Sequence, residues 1–499
     1  MSITGVGARS SLTAQSFVEM RRQLDDLQRQ LGTGKKADSY AGLGADRGMV
    51  IGLHSQISLL DSFDSAVTNV KVRVDLSQTI LKRFGDISHD TKALAQQTYQ
   101  LGSGGKTSPQ NAATLQLNEM LALLNTRAGD RYLFSGRATD KAATDTADHI
   151  LNGNGAAAGF NQVVAERRQA DLGTAGLGRL VIGASANVAT LSEDVAGSPF
   201  GFKLTGATSA LTNAAVSGPT GSPAAISVTF AAGGPVPGET IDFALRLPDG
   251  STETVRLTAT ASATPGAGEF SIGSTPSLTA ANLQSALSAG LGKLAQTSLT
   301  AASAIAAADD FFNIDAGNPP RRVAGPPFAT ASALTAGTPN NTVSWYTGEM
   351  AADSARGSAA ARIDSAIGVQ YGLRANEEAL RGMVQNLAAF STMTFSASDV
   401  NAEARYTALT QRLVPAFAGQ AGTQRIEEIQ TDLAITQTTL QAAKDRHRET
   451  RTVIQGLLDV TEGVPPEQVG AQILALQTRL QASLQTASRL YQLSLANYL

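Results

Sequence analysis

Leu53, Leu60, Val67, Val74 and Leu81 stand seven residues apart, and Phe63, Val70 and Phe84 fill most of the positions three residues on. No other feature restricts the fold of this chain as much. A seven-residue apolar repeat marks a helix with a continuous seam, and a seam needs a partner helix along its length. At 1.5 Å per residue, a helix over 48–100 runs about 80 Å. Toward the other end, Ile426, Leu433, Leu440, His447 and Ile454 repeat with the same period, with Ile429, Thr436, Ala443, Thr450 and Leu457 as the companion row. The economical arrangement sets the two rows against each other as antiparallel helices; two separate helical bundles are the alternative.

A shorter helix flanks each long one on its outer side. Phe17, Met20, Leu24, Leu27 and Leu31 recur at steps of three and four before the glycine-rich stretch GTGKKADSYAGLGADRG. After EGVPPEQVG, whose paired prolines break one helix and favour a new start, Ile473, Leu476, Leu480, Leu484, Ala487, Tyr491, Leu495 and Tyr498 form a second stripe, and apolar residues continue to Leu499. Chain ends usually fray, and a lone one-striped helix is marginal in water. Residues 465–499 are therefore expected to order only against a partner.

The middle of the chain reads differently. Residues 201–310 carry eleven charged side chains against eighteen in 401–499, and helical periodicity gives way to alternation. IDFALRL (241–247), Pro248-Asp249-Gly250 and TETVRLT (252–258) predict a β-hairpin. ISVTF (226–230) and GEFSI predict further strands, and TAANLQSALSAGLGKL (279–294) a helix capped by Thr279. The joins GSPF and GNPP suggest that 200–300 forms a dispensable module.

Composition narrows the function. A net charge of −3 gives no electrostatic case for nucleic acid or an acidic membrane. The chain has no cysteine, which removes disulfides, thiol catalysis and cysteine-bound zinc. No run approaches 18 apolar residues, so no membrane span is expected. The N-terminal MSITGVGARSSLTAQSF lacks the charged and apolar regions of a secretory signal.

Motifs with chemical meaning fail on spacing. GLGADRG (42–48) is not a dinucleotide fingerprint, because its glycines are misplaced and a helix precedes them. GSGGKT (102–107) lacks the first glycine of a phosphate loop, since Gln100 stands there. His54, His89, His149 and His447 show no metal-ligand spacing, and His447 lies on the heptad row, where a packed or register-setting role is expected. The pairs Glu377-Glu378 and Glu427-Glu428 point in different directions on helices. No catalytic residue, cofactor site or metal site is expected.

Specific stretches at both ends then carry a resemblance. LDDLQRQLGTGKKADSYAGLGADRGMVIGLHSQI (24–57), LNTRAGDRYLFSGRATD (124–140), VQYGLRANEEALRGMVQNLAAF (369–390) and LSLANYL (493–499) are similar to segments of the bacterial flagellin family. Of these, 124–140 is similar to a motif of the family's hook–filament junction branch, hook-associated protein 3, and the LSLANYL ending is more similar to that branch than to filament flagellin. One departure is Asp130, which intrudes between Gly129 and Arg131 of the Gly-Arg-Tyr-Leu-Phe-Ser-Gly motif. The matches cover about 140 residues at one end and about 155 at the other, in the family's order.

The resemblance implies a mainly α chain with an inserted α+β or β region, and an elongated coiled-coil stalk made by both chain ends. The expected regions are 1–47 (inner-tube helix and spoke), 48–140 (first half of the stalk), 141–345 (outward insert), 346–462 (second half of the stalk) and 463–499 (C-terminal inner-tube helix). It implies a non-enzymatic structural subunit of the flagellum, self-assembling for motility. Phe17, Met20, Leu24, Leu27, Leu31, Leu480, Leu484, Tyr491, Leu495 and Tyr498 would make the polymer contacts. Leu53, Leu60, Val67, Val74, Leu81, Ile426, Leu433, Leu440 and Ile454 would pack the stalk. The implied partners are further copies of the chain, hook-associated proteins, flagellin and a flagellar export chaperone. The implied location is extracellular, reached by flagellar export without a cleaved signal. The junction role is favoured by 132–136 and the LSLANYL ending, and a filament flagellin by the long insert. A coiled-coil surface adhesin or phage tail fibre is the more remote alternative.

Overall fold

The computed structural model describes residues 4–419 and 422–496. The chain begins with α1 (Thr4–Thr33), α2 (Arg47–Ala95) and α3 (Ser108–Leu124), followed by the short strands β1 (Arg127–Ala128) and β2 (Arg131–Tyr132). Helices α4 (Ala147–Asn152) and α5 (Phe160–Leu172) lead to β3 (Leu180–Ser185), β4 (Val188–Glu193), β5 (Lys203–Ser209), β6 (Ala214–Thr220), β7 (Ala225–Phe230), β8 (Thr240–Arg246), β9 (Thr252–Thr260) and β10 (Glu269–Ser271). Next come α6 (Pro276–Leu294), a π turn over Ala295–Leu299, and α7 (Thr300–Phe312). Two hairpins, β11 (Arg321–Val323) with β12 (Leu334–Ala336) and β13 (Ala360–Arg362) with β14 (Gly368–Gln370), precede α8 (Glu378–Thr392), α9 (Ala402–Phe417), α10 (Ile426–Glu462) and α11 (Pro466–Ala496). The chain is a mixed α and β protein, about 53% helical.

Two compact units divide it. One holds residues 1–71, 361–369 and 437–499; the other holds 72–360 and 370–436. The sequence-based limits at 47/48 and 462/463 fall inside the first unit, and those at 140/141 and 345/346 inside the second.

The second unit contains two four-stranded sheets that share a core with α6. One has the order β3-β4-β7-β6, antiparallel throughout. The other has the order β10-β9-β8-β5, in which only the β9–β10 pair is parallel. The alternation read in the sequence places Ile226, Val228 and Phe230 of β7 and Ile241, Phe243 and Leu245 of β8 inward. Leu283, Leu287 and Leu291, at helical spacing on α6, complete this core. The β8–β9 hairpin turns through Leu247–Ser251, where Gly250 takes φ +82°.

Two expectations are corrected here. The cap of α6 is Thr275, whose hydroxyl accepts from the Leu278 amide, with Pro276 at the first helical position. Thr279 lies buried inside the helix; a proline at the first helical position with a hydroxyl before it is the stronger start signal. Residues 200–300 are also not a separable module. Strand β4 at 188–193 pairs with β7, so both sides of the Gly197–Phe200 join share one sheet and one core.

The helices of this unit pack as α5 on α7, α7 on α8 and α9, and α3 on α8. Phe160, Phe311, Phe312 and Trp345 cluster among them with ring centroids 4.9–5.7 Å apart. A capping box starts α3. The Thr107 hydroxyl accepts from the Gln110 amide, and Gln110 Oε1 accepts from the Thr107 amide at 2.9 Å. The buried Gln110 then donates from Nε2 to the carbonyls of Phe390 (3.0 Å) and Met393 (2.9 Å), tying α3 to the end of α8.

The segments 124–140 and 369–390, from opposite halves of the sequence, meet in this unit. The Gly136 amide donates to the Leu373 carbonyl at 3.0 Å, and the Ala375 amide to that of Phe134 at 2.8 Å. Arg374 is buried and donates to Asp353 at 2.5 Å and to the Ala351 and Asp353 carbonyls. Arg137 pairs with Glu349 and with Asp353 at 2.6 Å. The two guanidinium groups hold the Asp353 carboxyl down to about 2, with Arg374 the larger cause. Gly136 has φ +64°, and a Cβ there would lie 2.5 Å from Glu349 Oε2, so only glycine fits.

Candidate self-assembly surface

The first unit joins the glycine-rich turn after α1 to the proline turn before α11. The Lys36 amide donates to the Glu462 carbonyl at 2.7 Å, and the Val464 amide to that of Gly34 at 3.0 Å. Lys36 Nζ reaches the Thr461 carbonyl at 2.7 Å. From this corner α1 runs alongside α11.

Helices α2 and α10 run antiparallel. In the first unit His54 meets Glu462 at 2.9 Å, Arg451 pairs with Asp61 and Asp64, and His447 meets Asp64 at 2.8 Å. In the second, Gln78 Nε2 donates to the Gln430 carbonyl at 2.7 Å. Val50, Leu53, Ile454 and Leu458 form a buried cluster, flanked by Leu43, Ile57 and the half-buried Leu60. Val67, Val74, Leu81, Leu433 and Leu440 are buried in their own units, while Ile426 is half-buried at the start of α10.

The companion row of α10 departs from the strict heptad. The inward positions are Ile429, Leu433, Thr436, Leu440, Ala443, His447, Arg451, Ile454, Leu458 and Thr461, all buried except the half-buried Arg451. Two consecutive steps of four meet at His447, where a heptad alternates three and four. Such a stutter rotates the seam. Thr450 and Leu457, expected inside, are therefore exposed, and Arg451 and Leu458 replace them. His447, only 2% exposed, sits at this point with its ring stacked on Phe63 at 5.9 Å. Asp364 approaches its other ring nitrogen at 3.8 Å and also binds Arg446 at 3.2 Å. The Ser365 amide, more than Arg446, holds the Asp364 carboxyl below its ordinary value.

Phe17, Met20, Leu24 and Leu27 of α1 are half-buried, and Leu31 is exposed. On α11 the inward row is Val469, Ile473, Leu476, Leu480, Ser483 and Ala487. Leu484 lies off it and is 56% exposed, because Ser483 takes the inward position expected for it. The side chains of Tyr491 and Leu495, and the whole of Tyr498, lie outside the described residues.

Apolar side chains remain exposed along these helices. Val453, Leu457 and Val460, at i, i+4 and i+7, make a stripe on α10 that reaches 77% exposure at Val460. Leu12 and Val18 on α1, Met49, Ile51 and Leu59 on α2 and Leu474 on α11 are exposed as well. Sequence reading assigned Leu457 to the seam and did not find this stripe; the shifted period after His447 is the signal that locates it. Among the described residues no three or more of His, Asp and Glu gather as a metal site, and no helix is long and apolar enough to cross a membrane. No protein-family model matches the sequence, and a search of curated proteins finds no match.

Proposed function

We propose that this chain is a non-enzymatic, self-assembling structural subunit of the bacterial flagellin class, working outside the cell as part of a flagellum. The observation that carries the reading is the exposed stripe Val453–Leu457–Val460. A helix pair buries one side of each helix, and among the described residues the stripe stays exposed. Burying each such side chain contributes about 1.5–3 kcal/mol, so the face favours association. A second copy of the chain is the occupant that repeats the same helices, and the flagellin-like segments at both ends supply the precedent. On this reading the stripe and α1 with α11 make polymer contacts, and α2 with α10 form a coiled-coil stalk. Hook-associated proteins and flagellin are then the neighbours in the assembly, and an export chaperone holds the terminal helices before assembly.

The test is polymerisation of the purified full chain followed by sedimentation and electron microscopy. Wild type should form rings or filaments, and the double substitution Val453→Ser with Val460→Ser should leave it monomeric. Polymers of wild-type yield from the variant would sink the proposal. A short ring would assign the junction role, and a long helical polymer the filament role.

A further inference from the structure

A cavity of about 360 Å³ opens in the second unit between α5, the loop before α3, the end of α8 and the start of α9. Three cationic side chains line it, Lys106, Arg168 and Arg405, and no carboxylate does. Val164, Ala165 and Met393 supply an apolar wall. Like charges gathered in one concavity repel one another, and surface cations normally mix with carboxylates. A basic cavity without an acid is the arrangement that an anion completes.

Each cation is placed by the fold. The π turn between α6 and α7 frees the Gln296 carbonyl, which accepts from Arg405 Nε at 2.8 Å. Asp399 holds one end of the same guanidinium at 2.9 Å. Arg405 is thus fixed while its Nη1 has no hydrogen bond among the described residues. Inserted π turns recur where a helix serves a site, and Thr300, just after this one, lines the same cavity. Lys106 lies between the Gly102 amide, which donates to its carbonyl at 2.9 Å, and the capping box at Thr107. The Phe395 amide donates to the Gly105 carbonyl at 2.7 Å, and Gln110 grips Met393, so the lysine and the apolar wall are held together. Burial pushes the Lys106 ammonium down, with no carboxylate offsetting it. Arg168 is exposed at the rim with no ion pair among the described residues; its neighbour Arg167 is occupied by Asp171 and Asp310.

We propose that this cavity binds a compact organic oxyanion, with Lys106, Arg168 and Arg405 holding the anionic group and the Val164–Met393 wall taking the organic body. Among the described residues Lys106 and Arg168 are the two cations of the cavity without an ion-pair partner, so they carry most of the affinity. A phosphate ester and a carboxylate share this chemistry, and the wall separates both from inorganic phosphate.

The experiment is calorimetric titration of the full chain with inorganic phosphate, glycerol 3-phosphate and glucuronate in low-salt buffer. Wild type should bind at least one organic oxyanion saturably and more tightly than inorganic phosphate. Lys106→Met and Arg168→Met should each weaken it at least tenfold, and Arg246→Met, which is outside the cavity, should not. Circular dichroism checks folding, and protection of the Lys106 amine from acetylation by the bound ligand, read by mass spectrometry in wild type, tests the site without any variant. Tighter binding of the ester identifies a phosphate source, and tighter binding of the uronate a carboxylate source. Absence of saturable heat up to about 10 mM, variants within twofold of wild type, an unprotected Lys106, or binding of inorganic phosphate alone would each overturn the proposal.

Discussion

His447 meets Asp64 at 2.8 Å through Nδ1, joining residues 383 positions apart at the one place where the seam of α10 changes step. The histidine is buried, while Asp64 keeps partial access to water and a second partner in Arg451. Removing the aspartate strands a buried ring, whereas removing the ring strands nothing. Asp64→Ala should cost about 1–3 kcal/mol, and His447→Leu distinctly less. Amide hydrogen exchange across 437–462 measures both; equal losses of protection would refute this asymmetry.

Because the sequence has no cysteine, introduced thiols report proximity without background. His54→Cys with Glu462→Cys replaces side chains that touch at 2.9 Å. A short bis-maleimide should link them within one chain, visible as a faster-migrating denatured band. Failure to form that band in dilute monomer would contradict the antiparallel pairing of α2 and α10.

Gln110 is fully buried and satisfies two carbonyls and one amide. Gln110→Leu keeps the bulk but leaves those three groups without partners. The expected loss is about 2–5 kcal/mol. The single tryptophan, Trp345, is buried in the same unit and reports unfolding in urea. A loss below about 1 kcal/mol would mean that water or a shifted backbone replaces these bonds.

Asp310 shares Arg167 with the fully buried Asp171, so one cation serves two carboxylates. Burial, more than any neighbour, raises Asp310 from 3.8 to about 6. The sign follows from linkage: between these values the unfolded chain releases the proton and the folded chain keeps it. The contribution of Asp310 is therefore most favourable below 3.8, falls as pH rises toward 6 and is level above that. The swing is on the order of 3 kcal/mol. Carbon-detected titration of the Asp310 carboxyl should show a midpoint near 6, and Asp310→Asn should remove its share of the slope. A midpoint at the ordinary aspartate value would overturn the prediction.

Much of the architecture was legible locally. The β8–β9 hairpin follows from alternation around Pro248-Asp249-Gly250, and the burial of Leu53, Val67, Leu433 and Leu440 from their period. The surface was less legible. Leu457 and Leu484 occupy apolar positions that a fixed period assigns inward, yet Leu458 and Ser483 lie there instead. A one-residue change of step moves a side chain by about 100° around a helix, and composition hardly registers it. The basic cavity was invisible, since Lys106, Arg168 and Arg405 are lone charges in three unrelated segments.

By itself the sequence determined the long helices α2 and α10, the helix α6 and the β8–β9 hairpin, because propensity, period and turn chemistry act among residues a few positions apart. Tertiary structure decided the rest. It set Asp64 beneath His447, placed Gly136 where a side chain would strike Glu349, and turned Arg405 toward both a π-turn carbonyl and a cavity. Each of these depends on a neighbour far along the chain, whose position exists only after the backbone has closed around it.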